Sequence, residues 1–172
     1  LIDGLVQGLE IHSADLILSQ TQNTNLLDLL LTCLQDRHND VRQSVFALMG
    51  DLAIHVMKQV ALPYLQPILQ CIVHEIKSRH QGSYTVCNNA TWAFGEMTLV
   101  LDNNELSPYL DDMIPCLIDL INSKNCDKNV LENCSITLGR LGYHYYQELG
   151  PHLPKFAFNW CKYVKLLFTN EE

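Results

Sequence analysis

VCNNATWAFGEMTLVL, residues 86–101, has two counterparts in the same chain: VRQSVFALMGDLAIHV at 41–56 and LENCSITLGRLGYHY at 131–145. Gly50, Gly95 and Gly139 mark the same place in each, at spacings of 45 and 44. A second block follows every copy: LPYLQPILQCIVHEI at 62–76, SPYLDDMIPCLIDLI at 107–121 and GPHLPKFAFNWCKYV at 150–164. Pro63, Pro108 and Pro151 open these blocks at spacings of 45 and 43, and Cys71, Cys116 and Cys161 fall 45 apart. The chain is therefore a repeat of one unit, and any reading of its fold has to start there.

A period in the low-to-mid forties fits HEAT or armadillo helices and also WD40 blades, so hydrophobic spacing decides. Ile68, Leu69, Ile72, Val73 and Ile76 recur at threes and fours, as do Met113, Leu117, Leu120 and Ile121. That is a helical period. Pro63, Pro108 and Pro151 are read as helix starts, where the missing N–H costs nothing, with Ser107 as an N-cap. Helices are predicted near 1–11, 24–36, 40–57, 63–79, 84–101, 108–122, 128–143 and 151–168. Linkers are predicted at 80–83, 102–107 and 123–127, and residues 12–23 leave room for a further short helix before a polar loop. The fold class is all-α: a HEAT-repeat α-solenoid of antiparallel helical hairpins in a right-handed superhelical stack. Residues 1–172 form a single array of about four repeats, read as a piece of a longer solenoid because both ends carry apolar surface that further repeats would cover.

Composition narrows the function. With 48% hydrophobic residues the chain can build a core, yet no apolar run reaches the ~18 residues of a membrane span. A formal net charge of −8 argues against direct nucleic-acid binding and favours basic partners. Seven cysteines (Cys33, Cys71, Cys87, Cys116, Cys126, Cys134, Cys161) form no Cys-x-x-Cys pair, so neither a zinc site nor a redox motif is signalled. They read as small buried hydrophobes of a reduced compartment, cytosol or nucleus. The histidines lack metal-ligand spacing; there is no nucleophile elbow and no phosphate loop, and Cys71 with His74 has no third orienting group. No catalytic residue, metal site or cofactor is expected.

The repeated glycine is a ruler for the second helix of each hairpin. At 100° per residue, the positions six before, three before and one after it lie within about 60° of one another. They are Ser44, Ala47 and Asp51; Asn89, Trp92 and Glu96; Asn133, Ile136 and Arg140. Val45, Leu48, Met49 and Leu52, with Ala90, Ala93, Phe94 and Met97, fall on the packed side instead. The first set makes a ladder along one flank of the stack, polar at most rungs but carrying Trp92 and Ile136. Trp92 is either a contact residue for a partner or a core residue showing one edge. Trp160, near Phe156, is read as core. The amides of Asn88 and Asn89 suit the main chain of an extended peptide, or one of them caps the helix against the competitors Ser83 and Thr85. Asp51 and Glu96 would meet basic side chains, and Arg140 stands where it could pair with Glu96 and blunt both.

VRQSVFALMGDL, VCNNATWAFGE and VLENCSITLGRLGY resemble consecutive repeats in the C-terminal half of the transportin branch of the karyopherin-β (importin-β) family. The resemblance covers most of the chain. It implies nuclear import and shuttling between cytoplasm and nucleus, with cargo proteins bound on the concave face through extended basic or hydrophobic proline-tyrosine localisation signals. By that resemblance Trp92 contacts the upstream part of the signal, with Ile136 and Tyr84 as apolar neighbours. Asn88, Asn89 and Asn133 hold peptide backbone, while Asp51 and Gln43, with Glu96 on the same ladder, lie near basic side chains. The Ran GTPase and nucleoporins are implied as partners of regions mostly outside this segment. Tyr84 departs from an aliphatic norm, Gln7 from an acidic one, and residues 12–23 look longer than in relatives. The alternative is a structural HEAT scaffold that assembles other proteins without a signal groove.

Overall fold

The computed structural model describes residues 2–24, 26–79 and 83–169, and among these all regular structure is helical. Ten α-helices follow in order: α1 Ile2–Leu9, α2 Ser13–Thr24, α3 Leu26–Leu34, α4 Asn39–Val60, α5 Leu65–Ser78, α6 Tyr84–Val100, α7 Asn103–Ile121, α8 Lys128–His144, α9 Tyr146–Leu149 and α10 Leu153–Thr169. Single 3-10 turns occupy Glu10–His12, Leu62–Tyr64 and Gly150–His152. The hairpins α3–α4, α5–α6 and α7–α8 stack side by side, as expected of HEAT repeats. The second helices α1, α4, α6 and α8 form one layer and the first helices α3, α5, α7 and α10 the other.

Burial follows the predicted stripe. Val45, Leu48, Met49 and Leu52 of α4 and Ala90, Ala93, Phe94 and Met97 of α6 are core, together with Ile72, Ile76, Leu117 and Leu120 from the first-helix layer. The layer of second helices is the more tightly packed, and glycine is the reason. A methyl carbon built on Gly50 of α4 would overlap the indole of Trp92 from α6. One built on Gly95 of α6 would stand 2.6 Å from Thr137 Oγ1 and 3.3 Å from Arg140 Nη1 of α8. At Gly50 and Gly95 one second helix admits a side chain of the next.

Polar bridges fix the register between units. Arg42 near the start of α4 donates to Glu75 of α5 at 2.7 Å, to the Asp36 carbonyl at 2.7 Å and to Asn39 at 2.8 Å. Buried Arg79 donates to the Ile76 carbonyl and to Asp119 of α7. Tyr145 is fully buried and its hydroxyl donates to the Leu101 carbonyl at 2.6 Å, tying α8 to the end of α6.

Three boundary expectations are corrected. Pro63 and Pro151 do open turns that lead into α5 and α10, but Pro108 lies inside α7, which begins at Asn103. The Glu105 carboxylate accepts from the Asp102 N–H at 2.8 Å, the returning half of a capping box, so the helix starts five residues early. Pro108 then costs only the donor to the carbonyl of exposed Asn104, which water can satisfy. Ser107 is accordingly no cap; its hydroxyl donates to Glu148 of α9 at 2.6 Å. Residues 13–24 are a full helix of 12 residues where a short one before a loop was expected. α4 extends to Val60, past a break in helical geometry at Val56, close to its predicted end. Of the predicted linker at 80–83, only Ser83 lies within the described residues; it caps α6 by accepting from the Thr85 N–H.

Candidate functional site

The ladder residues sit on one flank of α4, α6 and α8. Ile136 is 41% exposed and Trp92 half-buried. Trp92 combines the two readings given above: one edge of its ring rests on Gly50 and the residue stays partly exposed. Trp160 is also half-buried, packed at the edge of the core, and its N–H donates to the Ser135 carbonyl at 2.8 Å. For Trp92 no described group accepts from the indole N–H.

The amides are joined into a chain across three helices. Asn133 donates to Asn88 at 2.8 Å, Asn88 lies 3.4 Å from Asn89, and Asn89 donates to the Gln43 main-chain carbonyl at 3.1 Å. Neither Asn88 nor Asn89 caps α6, since Ser83 does. A carboxamide offers two donor hydrogens and two acceptor lone pairs, so this chain uses only part of each group's capacity. Tyr84 is half-exposed and its hydroxyl donates to the Asn125 carbonyl at 2.9 Å, holding the loop before α8.

The carboxylates differ from a simple open rung. Asp51 and Glu96 are each only 8% exposed. Arg140 donates to Glu96 at 2.7 Å, as the shared row suggested, and Gln7 of α1 donates to Asp51 at 3.3 Å. Both acids are covered because an adjacent second helix supplies a long polar side chain to lie over them, α1 at Asp51 and α8 at Glu96. Their charge reaches the flank partly neutralised at Glu96 and amide-bonded at Asp51.

A second apolar row went unread in the sequence. Ile54, Leu99 and Tyr143 are all exposed, Tyr143 by 81%, and each stands four residues after its repeat's glycine. That is seven residues beyond the positions of Ala47, Trp92 and Ile136, an offset of about 20° around the helix and ~10 Å along it. The glycine ruler, extended by one more step, would have found it.

Elsewhere the chemistry is quiet. A cleft of about 610 Å³ between the α3–α4 turn and α5 is lined by Arg42, Cys71, His74 and Glu75, away from the ladder. Arg42 there is committed to the bonds already described, and burial together with the Glu75 charge raises the Cys71 thiol above its ordinary value. Burial pushes the Cys87 thiol up to about 12 and Cys134 well above a normal thiol. These two cysteines are packed hydrophobes, inert at neutral pH.

A HEAT repeat family signature matches residues 26–56, the α3–α4 hairpin. Human Transportin-1 is 35% identical over 173 residues, covering all of this chain and 18% of that protein. Importin subunit beta-2 of Saccharomyces cerevisiae is 36% identical over 179 residues, all of this chain and 19% of its own length. The Dictyostelium discoideum Transportin is 37% identical over 165 residues, 94% of this chain and 17% of its own. This chain is of the transportin type within the karyopherin-β family. It spans under a fifth of the length of these curated relatives. Within a transportin-type array the ladder occupies the more tightly packed layer of second helices, and the family relation extends over α1 to α10, not the matched hairpin alone.

Proposed function

We propose that this segment is part of a nuclear import receptor and holds the upstream part of an extended proline-tyrosine localisation signal along the α4–α6–α8 flank. The observation that carries the reading is the pair Trp92 and Ile136, placed alike on neighbouring helices, the first half-buried and the second exposed. Residues 1–172 are read as one HEAT array. The flank is read as its concave face, because in a curved stack the helices on the inner side crowd closer together, and the second helices do so here.

A disordered signal loses conformational freedom on docking, so many modest contacts have to offset that cost. The indole contributes most: a tryptophan offers 150–250 Å² of surface, and at ~25 cal/mol/Å² the open part of Trp92, at most about a third of it, supplies up to about 2 kcal/mol. Ile136, and beyond it Leu99 and Tyr143, extend the apolar track. Asn88, Asn89 and Asn133 have unused capacity for a peptide main chain. Asp51 and Glu96, with the overall net charge of −8, draw basic segments and speed their encounter. This is a binding role, with no catalysis, cofactor, nucleic-acid contact or membrane insertion in it. Among the described residues no single helix is long and apolar enough to cross a membrane. Shuttling between cytoplasm and nucleus, and contacts of Ran GTPase and nucleoporins with other parts of the receptor, belong to the same proposal. A scaffold without a groove would draw on the covered acids and the mutually bonded asparagines, yet it leaves the open indole without a use.

The test is a titration with a peptide of the proline-tyrosine class, whole and with its basic-hydrophobic half removed. Binding should need that half, and Trp92→Ala should weaken it by about 2 kcal/mol without unfolding the protein. Equal affinity for Trp92→Ala and the parent would refute the assignment.

A further inference from the structure

We propose that Gly50 is the positioning residue of the Trp92 subsite: its bare Cα seats one edge of the indole and presents the N–H edge to the ligand as a hydrogen-bond donor. This rests on the reading of the flank as a peptide-binding surface. The ring atoms that a side chain at 50 would meet are Cζ3, Cη2 and Cε3. They form the outer edge of the six-membered ring, and the pyrrole nitrogen lies across the ring system from Cζ3. The close approach therefore fixes the edge that carries no polar group and holds the polar one away from Gly50.

The contrast within the molecule sharpens the point. Gly139 is the same position one repeat along from Gly95, and there Trp160 Cζ2 comes to 3.6 Å of a built Cβ, an ordinary contact. Trp160 spends its N–H on the Ser135 carbonyl. The N–H of Trp92 has no acceptor among the described residues. One tryptophan is tied to its own protein; the other is seated deeper, with its N–H bonded to no described residue. The complementary group is a carbonyl oxygen at a ligand's main chain, next to an apolar side chain lying on the exposed part of the ring. At Gly95 the neighbour is Thr137 Oγ1, so the seat for an indole is specific to Gly50 and does not recur there.

A methyl at residue 50 cannot be met by backbone adjustment alone, because the helix is continuous through Asp51, Leu52 and Ala53, all buried. The ring has to turn out. The experiment is a double-mutant cycle of Gly50→Ala and Trp92→Ala on the intact segment, in a Trp160→Phe background where Trp92 is the sole fluorophore. It reads affinity for the proline-tyrosine-class peptide, the emission maximum without ligand, and the melting temperature. Gly50→Ala is expected to shift Trp92 emission to longer wavelength and to weaken the peptide about tenfold, the scale of an overpacked contact. In Trp92→Ala the added Gly50→Ala should leave affinity within about twofold, because a residue acting through the indole has nothing left to act on. Should Gly50→Ala fold poorly, the double variant is expected to recover the stability of Trp92→Ala, since removing the ring vacates the space the methyl needs. Unchanged emission and affinity in Gly50→Ala, or an equal loss with and without the indole, would overturn the proposal. If instead Trp92→Ala itself binds as the parent does, the peptide-surface reading fails, which is a different pattern from a failed seat.

Discussion

Replacing Arg42 with alanine should destabilise the protein far more than a surface charge would. The guanidinium holds three groups at once: Glu75 on the next first helix, and the Asp36 carbonyl and Asn39 side chain at the α3–α4 turn. The Arg42 and Glu75 side chains are only 14% and 5% exposed. Removing the cation leaves a buried carboxylate without its partner, a change that costs about 3 kcal/mol at the lower end of measured cases. For a chain of 172 residues, unfolding entropy near 2.1 cal/mol/K per residue turns this into a melting point lowered by roughly 8 °C. Glu75→Gln keeps an acceptor in place and should cost only about 1 kcal/mol. Both variants would be followed by circular dichroism through thermal and urea unfolding. If Arg42→Ala melted within a degree or two of the parent, or if the two variants were equally destabilised, the bridge would not be what couples these hairpins. The neighbouring Gln43 carbonyl receives Asn89, so loosening Arg42 should also weaken peptide binding.

Arg140→Ala should release the Glu96 carboxylate and tighten a lysine- or arginine-rich peptide by about 0.5–1 kcal/mol at low salt, with the gain fading as salt rises; calorimetry at two ionic strengths checks both parts. The alkaline limb of stability has a defined sign. Burial raises Cys87 from 9.0 and Tyr145 from 10.0 to about 12 in the folded protein. Their contribution is complete below the ordinary thiol and phenol values and is lost as pH climbs through the folded ones. Melting temperature should therefore fall steeply between about pH 9 and 12, and a flat profile there would contradict the burial. A thiol-specific reagent at neutral pH should label exposed Cys161 promptly, and Cys87 and Cys134 only on unfolding.

The repeat period and the helical spacing of the apolar residues were enough to give the two layers and to sort Val45, Leu48 and Phe94 from the ladder. What they could not give were facts made between helices. The Asp102–Glu105 spacing was a legible helix start, but Pro108 drew the boundary because proline is the louder local signal. The Arg140–Glu96 pair was legible as a shared row, whereas Asp51 was expected to meet basic side chains; a single-helix projection has no way to show Gln7 arriving from the adjacent helix. The asparagines were read one at a time, whereas their bonds run from repeat to repeat. Gly50 served as a landmark in the sequence, and its role as a seat for the Trp92 ring exists only once α4 and α6 are packed.

The central claim is that an indole at 92 stands ready for a partner. With only two tryptophans in the chain, Trp160→Phe makes Trp92 emission a direct reporter. Adding a proline-tyrosine-class peptide should shift that emission to shorter wavelength and shield it from acrylamide, in step with binding. A peptide that binds while the emission and quenching of Trp92 stay as they were would contradict the account.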